Sequence, residues 1–219
     1  MSWSALACGF AATLLCASTG SQDEAGGLAS VTASLSGVHY KGFTVQNLLA
    51  YIHERFGEDT ARTAVESLSA ELQPHADPRT TLAVGWVPVE TYFGIIQHVV
   101  DRHFDGRPEG AHTVGYEVTL RDIHSIFKMV LRFTTPTMVL GMARRMWRSY
   151  CDQGELLHQE ENGTGLLLLR EFTYQTPVTV HELAGGFKAY LECSSAKNPR
   201  VEVMAPDKDG TLRWRIVSD

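Results

Sequence analysis

Residues 179–219 read TVHELAGGFKAYLECSSAKNPRVEVMAPDKDGTLRWRIVSD, and this stretch decides the fold class. Thr179-Val-His-Glu182 has the S/T-x-x-E form of a capping box, with Pro177 just before it. Val180, Leu183, Ala184, Phe187 and Leu191 then recur at helical spacing. Gly185-Gly186 interrupts that helix. Each glycine costs about 1 kcal/mol against alanine, so the pair needs a packing reason, and close approach to a sheet is the expected one. On that reading Gly186→Leu overpacks the contact and costs about 1–3 kcal/mol. Val201, Val203 and Ala205 alternate as a strand, Pro206 to Gly210 is a turn, and Leu212, Trp214 and Ile216 share one face of a last strand. The unit is a helix lying on an antiparallel sheet.

Working outward, 219 residues with 44% hydrophobic and 20% charged side chains fit one domain with a substantial core plus a tail. The net charge of −6 argues against a general nucleic-acid binder. Four cysteines, at 8, 16, 151 and 193, have no CxxC spacing, which argues against a zinc site or a disulfide framework and for buried thiols in a reduced, cytoplasmic setting. The apolar run from Ala5 to Ala17 is too short to span a bilayer, and no Lys or Arg precedes Lys41 to form a basic n-region. Residues 1–36 are therefore read as a leader or linker, disordered or signal-like, before a single domain over 37–219. Export through an atypical signal is the alternative to the cytoplasm. Deleting residues 1–34 is expected to leave a folded domain, because helical periodicity starts at Val45; loss of the cooperative melt in the truncated protein would put the leader inside the fold.

Between those ends the periodicity predicts five helices. The first is capped by Thr44, buries Val45, Leu48, Leu49, Ile52 and Phe56, and stops at Gly57. The second runs from about Thr60 to Leu72, followed by a loop over Pro74 to Pro78. The third has Pro88 in its first turn and turns Val89, Tyr92, Phe93, Ile96, Val99 and Val100 inward. A break at Asp105 to Gly110 precedes a fourth over Thr119 to Phe133, and Thr135-Pro136 caps a fifth that runs to Tyr150. Glu155 to Gln159 then pairs with Gly165 to Tyr174 around Asn162-Gly163, a strong short hairpin signal. The class is α+β: an N-terminal helical bundle on a four-stranded antiparallel sheet, with one helix between the two hairpins.

Several runs resemble a known family. Phe127 to Leu140 (FKMVLRFTTPTMVL), Met146 to Glu155 (MWRSYCDQGE), Tyr40-Lys-Gly-Phe43, Glu54-Arg-Phe-Gly57 and Ala196 to Val203 (AKNPRVEV) look like an uncharacterised bacterial family related to the 4-vinyl-reductase domain and the haem-NO-binding domain. The resemblance covers about Val38 to Val217. It implies a small-molecule-sensing or protein-interaction domain, often dimeric, with a pocket between helices and sheet. Haem members of that superfamily hold iron through a helix histidine upstream of a Tyr-x-Ser-x-Arg motif. This chain reads Arg170-Glu-Phe-Thr-Tyr-Gln-Thr176 there, and no histidine lies between His124 and His158. The cysteines often found near the last hairpin of vinyl-reductase-type domains are absent from Met204 to Gly210. The expectation is a domain without haem, metal or other cofactor.

No catalytic constellation stands out. The nine histidines do not cluster, HExxH is absent, and Cys151 has no base in view. Met138, Met142 and Met146 recur every four residues beside Trp147 and Tyr150; the usual role of such a stripe is core filling, the sharper one an adaptable pocket wall. Lys128, Arg132, Arg144, Arg145 and Arg148 are a solvated surface or, more sharply, an anion-binding rim. The candidate ligand site is thus Phe127, Leu131, Met138, Met142, Met146, Phe172, Tyr174 and Phe187, with Arg145 and Arg148 at its mouth and a fatty acid as a fitting ligand. The expected protein is a non-enzymatic sensory or regulatory domain that takes a small apolar or amphipathic ligand, a protein partner, or both. A ligand-free dimerisation module is the alternative; a homodimer fits either.

Overall fold

The computed structural model describes residues 35–123, 131–161 and 164–218. Strand β1 (His39–Lys41) pairs antiparallel with β2 (Trp86–Pro88). This small ribbon, too short to show alternation, joins the first helix to the fourth. Helix α1 (Gly42–Phe56) starts directly from β1, two residues before the expected cap. Thr44 is not that cap: its hydroxyl donates back to the Lys41 carbonyl. Val45, Leu48 and Ile52 are buried as the spacing requires, and Gly57, at φ 93°, ends the helix.

Helix α2 (Glu58–Glu66) is shorter than its pattern suggests. Leu68 and Leu72 still reach the core, but from turns, and the supposed loop after them contains a single turn, α3 (Gln73–Ala76). Helix α4 (Val89–His103) follows β2 and buries Val89, Tyr92, Phe93, Ile96, Val99 and Val100. Helix α5 (Gly110–Asp122) begins nine residues before Thr119, the predicted start. Its buried positions are Gly110, Ala111, Val114, Gly115 and Val118. That is helical spacing, but two of the five are glycines, which a hydrophobic pattern does not register. Phe127 and most of the rest of that predicted helix fall outside the described residues.

The predicted fifth helix is two: α6 (Pro136–Gly141) and α7 (Ala143–Tyr150), joined at Met142. Its expected cap is present, with the Thr135 hydroxyl accepting from the Met138 amide at 3.2 Å. Strands β3 (Glu155–Glu161) and β4 (Thr164–Arg170) pair in register from Glu155↔Arg170 to Glu161↔Thr164; Asn162 and Gly163 lie outside the described residues. Strand β4 stops four residues before Tyr174, where Glu171 takes a left-handed φ of 54°. Helix α8 (Pro177–Glu192) leads to β5 (Arg200–Met204) and β6 (Leu212–Val217). The sheet is antiparallel in the order β3-β4-β6-β5, and Leu212, Trp214 and Ile216 are buried on one face of β6, as read.

Helix α8 corrects two expectations. Its cap is Thr176, whose hydroxyl accepts from the Thr179 amide at 3.1 Å, so Thr179 sits inside the first turn and Glu182 belongs to no capping box. Its double glycine approaches a helix, not the sheet. A Cβ on Gly185 would lie 2.0 Å from the His112 carbonyl oxygen of α5, and one on Gly115 of α5 would lie 2.2 Å from the Glu182 carbonyl oxygen. The two backbones are in mutual contact. Toward the sheet α8 presents bulk: Phe187 meets Trp214 edge-on at 5.1 Å, and the Trp214 indole N–H donates to the Val180 carbonyl.

Candidate functional site

The close crossing of α5 and α8 places a cavity of about 130 Å³ beside it. α5 supplies Val118, Thr119 and Asp122; α8 supplies Glu182, Leu183, Gly186, Phe187, Tyr190 and Leu191. α6 and α7 close one side with Leu140, Ala143, Met146, Trp147 and Tyr150. Tyr40 of β1 and Tyr92 of α4 complete the part where the polar groups gather. The walls are aliphatic and aromatic, and Asp122 and Glu182 are the ionisable acids among them. No Lys, Arg, His or Cys is among the described lining residues.

Glu182 is buried because the α5–α8 contact runs through its own backbone. The Tyr92 hydroxyl donates to its Oε1 at 2.8 Å, while Oε2 has no partner among the described residues. Burial pushes the Glu182 carboxyl up to about 7; the bond from Tyr92 works against this, and the charge of Asp122 adds to it. Asp122 is likewise held at about 7 by burial, against the stabilising bond from Asn47 and the charge of Arg121. Its Oδ1 and the Tyr40 hydroxyl also lack partners. The Tyr150 and Tyr190 hydroxyls pair with each other at 3.0 Å. Burial raises the Tyr40, Tyr92, Tyr150 and Tyr190 phenols above their ordinary range, so they stay neutral. Three buried polar atoms of the residues that line this cavity thus lack a hydrogen-bond partner among the described residues, an unusual concentration where most buried polar groups are paired.

Of the residues expected to form a ligand site, Met146 and Phe187 line this cavity. Met138 and Met142 do not: they are 56% and 37% exposed. The backbone stays helical through Met142, whose amide still bonds the Met138 carbonyl, and the buried face is the neighbouring one: Val139, Ala143 and Trp147, four residues apart, with Leu140 beside them. Arg145 and Arg148 are exposed and outside the lining. Arg148 lies 3.9 Å from Glu155 of β3, which Arg144 also contacts. An anionic head group in the cavity therefore has no cation among the described lining residues. Phe172 is buried beside Trp147, ring to ring at 5.4 Å, and Tyr174 stacks on Phe93 at 5.5 Å. Leu131 belongs to a separate cluster with Ile123, Val139 and Cys193. Phe127 lies outside the described residues.

Glu182, Asp122, Tyr40 and Tyr92 were not among the expected site residues. The signal for Glu182 was present: it shares a helix face with Gly185, Gly186 and Ala189, the face that two glycines mark as packed. Asp122 and the tyrosines carry no comparable mark, because the chain brings them together only through tertiary contacts.

The arrangement of these elements is the H-NOX fold. The H-NOX protein of K. algicida in the Fe(II) unliganded state aligns over 82% of this chain and 96% of its own, at 10% identity and a TM-score of 0.61. The S. oneidensis H-NOX protein in the Fe(II)NO state aligns over 82% and 99%, at 12% identity and 0.59. A variant of the T. tengcongensis H-NOX aligns over 82% and 97%, at 13% identity and 0.57. No protein-family model matches the chain, and no curated protein matches it. No helix among the described residues is long and apolar enough to cross a membrane.

Proposed function

We propose that this chain is a sensory or regulatory ligand-binding domain that uses the H-NOX scaffold without haem, and that its ligand is small and amphipathic. The observation that carries the reading is the cavity beside Glu182: mostly apolar, partly enclosed, and holding three unpartnered polar atoms. Pockets of this kind, apolar with a few placed polar groups, are the usual form of a ligand site. A volume of about 130 Å³ is below the roughly 300–1,000 Å³ of typical ligand pockets, so the ligand is small.

The described lining does not fit a haem. It offers no histidine or cysteine to the iron, its phenols are held neutral by burial, and it has no cation for the propionates. Outside the cavity lining, burial pushes the Cys151 thiol up to about 12, which makes it a poor nucleophile. The burial of Cys151 and Cys193 suits a cytoplasmic setting.

A protein partner or a second copy of the chain is the companion reading. Phe133 is 86% exposed and Met138 56%, an apolar surface on the segment that also walls the cavity. Native mass spectrometry of freshly purified protein reads both readings at once. The expected spectrum shows a chain or homodimer carrying, at most, an adduct smaller than haem. A retained haem, one per chain, would end the haem-free reading; a strictly monomeric chain would end the homodimer reading.

A further inference from the structure

The cavity's chemistry narrows its ligand. Two carboxyl groups line it, Glu182 and Asp122, each with one buried oxygen that has no hydrogen-bond partner among the described residues. An anion would be repelled by both, and no cation among the described lining residues would compensate. A purely apolar molecule would leave those oxygens and the Tyr40 hydroxyl unsatisfied, at a cost of about 1–3 kcal/mol each. What the two carboxyls call for is positive charge with N–H groups to donate to them. The remaining walls are rich in aromatic rings, among them Tyr40, Tyr92, Trp147 and Tyr190, and aromatic rings also favour a cation near their faces. The Tyr92 hydroxyl is already committed to the other Glu182 oxygen.

We infer that the cavity takes a small protonated amine with a short apolar body, its N–H groups donating to the unpartnered oxygens of Glu182 and Asp122. This rests on the proposal that the cavity is a ligand site. The ammonium supplies what the carboxyls lack, and the short chain lies along Leu183, Leu140 and Phe187. Charge-assisted hydrogen bonds of this kind are the strong ones.

Calorimetric titration of the full chain at pH 8 with n-butylamine, 1-butanol, butyrate and tetramethylammonium tests it. The first three share an apolar body and differ in the head group; the last carries charge without an N–H. Butylamine is expected to saturate one site and to bind at least about tenfold more tightly than butanol, with tetramethylammonium weaker than butylamine and butyrate silent. Glu182→Gln, and separately Asp122→Asn, should each weaken butylamine by about tenfold or more while butanol binding is unchanged, which a collapsed cavity would not give. Butanol or butyrate binding as tightly as butylamine overturns the amine inference and leaves the cavity a ligand site. Saturation by none of the four overturns both, and makes the cavity a place for ordered water.

Discussion

Replacing Gly185 with alanine is expected to destabilise the fold by about 3 kcal/mol or more, at the upper end of what overpacking costs. Intrinsic propensity predicts the opposite sign, since alanine is favoured over glycine in a helix by about 1 kcal/mol. Packing wins because the atoms in the way are backbone. The new methyl would lie 2.0 Å from the His112 carbonyl oxygen and 2.8 Å from the Tyr116 amide nitrogen, and neither can turn aside as a side chain would. Helices α5 and α8 would have to separate, moving Glu182 and opening the cavity wall. Gly115→Ala should behave alike, because its methyl meets the Glu182 carbonyl at 2.2 Å. Gly186→Ala is the control: its nearest obstacle is the Thr119 hydroxyl at 3.1 Å, so its effect should stay within about 1 kcal/mol. Urea melts of the three variants check the order. Equal midpoints for Gly185→Ala and Gly186→Ala would remove the close-crossing argument.

The second large effect is a gain. Glu182→Gln is expected to stabilise the protein by about 3 kcal/mol at pH 8, and much less at pH 5. The carboxyl titrates near 4.5 when exposed and at about 7 in the fold. Between those values the native state holds a proton that the unfolded chain has released, so the native state loses ground as pH rises from about 4.5 to about 7, and regains none above. Asp122, raised from 3.8 to about 7 by burial, contributes in the same direction. Glutamine keeps an acceptor for the Tyr92 hydroxyl and carries no charge to bury. Thermal melts from pH 5 to pH 8 should show the two proteins diverging as pH rises, by roughly 5–10 °C at the alkaline end for a domain of this size. A constant gap, or a variant less stable at pH 8, would mean that Glu182 is not held protonated by its surroundings.

How much of this was legible in the sequence depends on what each residue type can signal. Helix α4 was visible because six large apolar residues carry its period, and β6 because Leu212, Trp214 and Ile216 alternate with polar neighbours. The Thr135 cap was legible from Thr-Pro alone. Helix α5 was not, because its packed face uses glycine. The double glycine of α8 announced a close contact, but a strand and a helix both tolerate one, and the sequence does not say which backbone arrives. Glu182 was misread because a local explanation, the capping box, was available, while the competing Thr176 cap lies three residues earlier. The Met138-Met142-Met146 stripe was misread because Val139, Ala143 and Trp147 carry the same four-residue spacing one position along, and that face is the buried one. The cavity itself is a tertiary object: Tyr40, Tyr92, Asp122 and Glu182 come from four elements spread across more than half the chain.

We propose that the H-NOX fold here encloses a small acid-lined cavity in place of a haem site. Haemin titration of the full chain, followed by desalting and an absorption spectrum, tests it most directly. No stoichiometric Soret band is expected after desalting, because the described lining has no histidine or cysteine ligand, no cation for the propionates and too little volume. A stable Soret band at one haem per chain would contradict it.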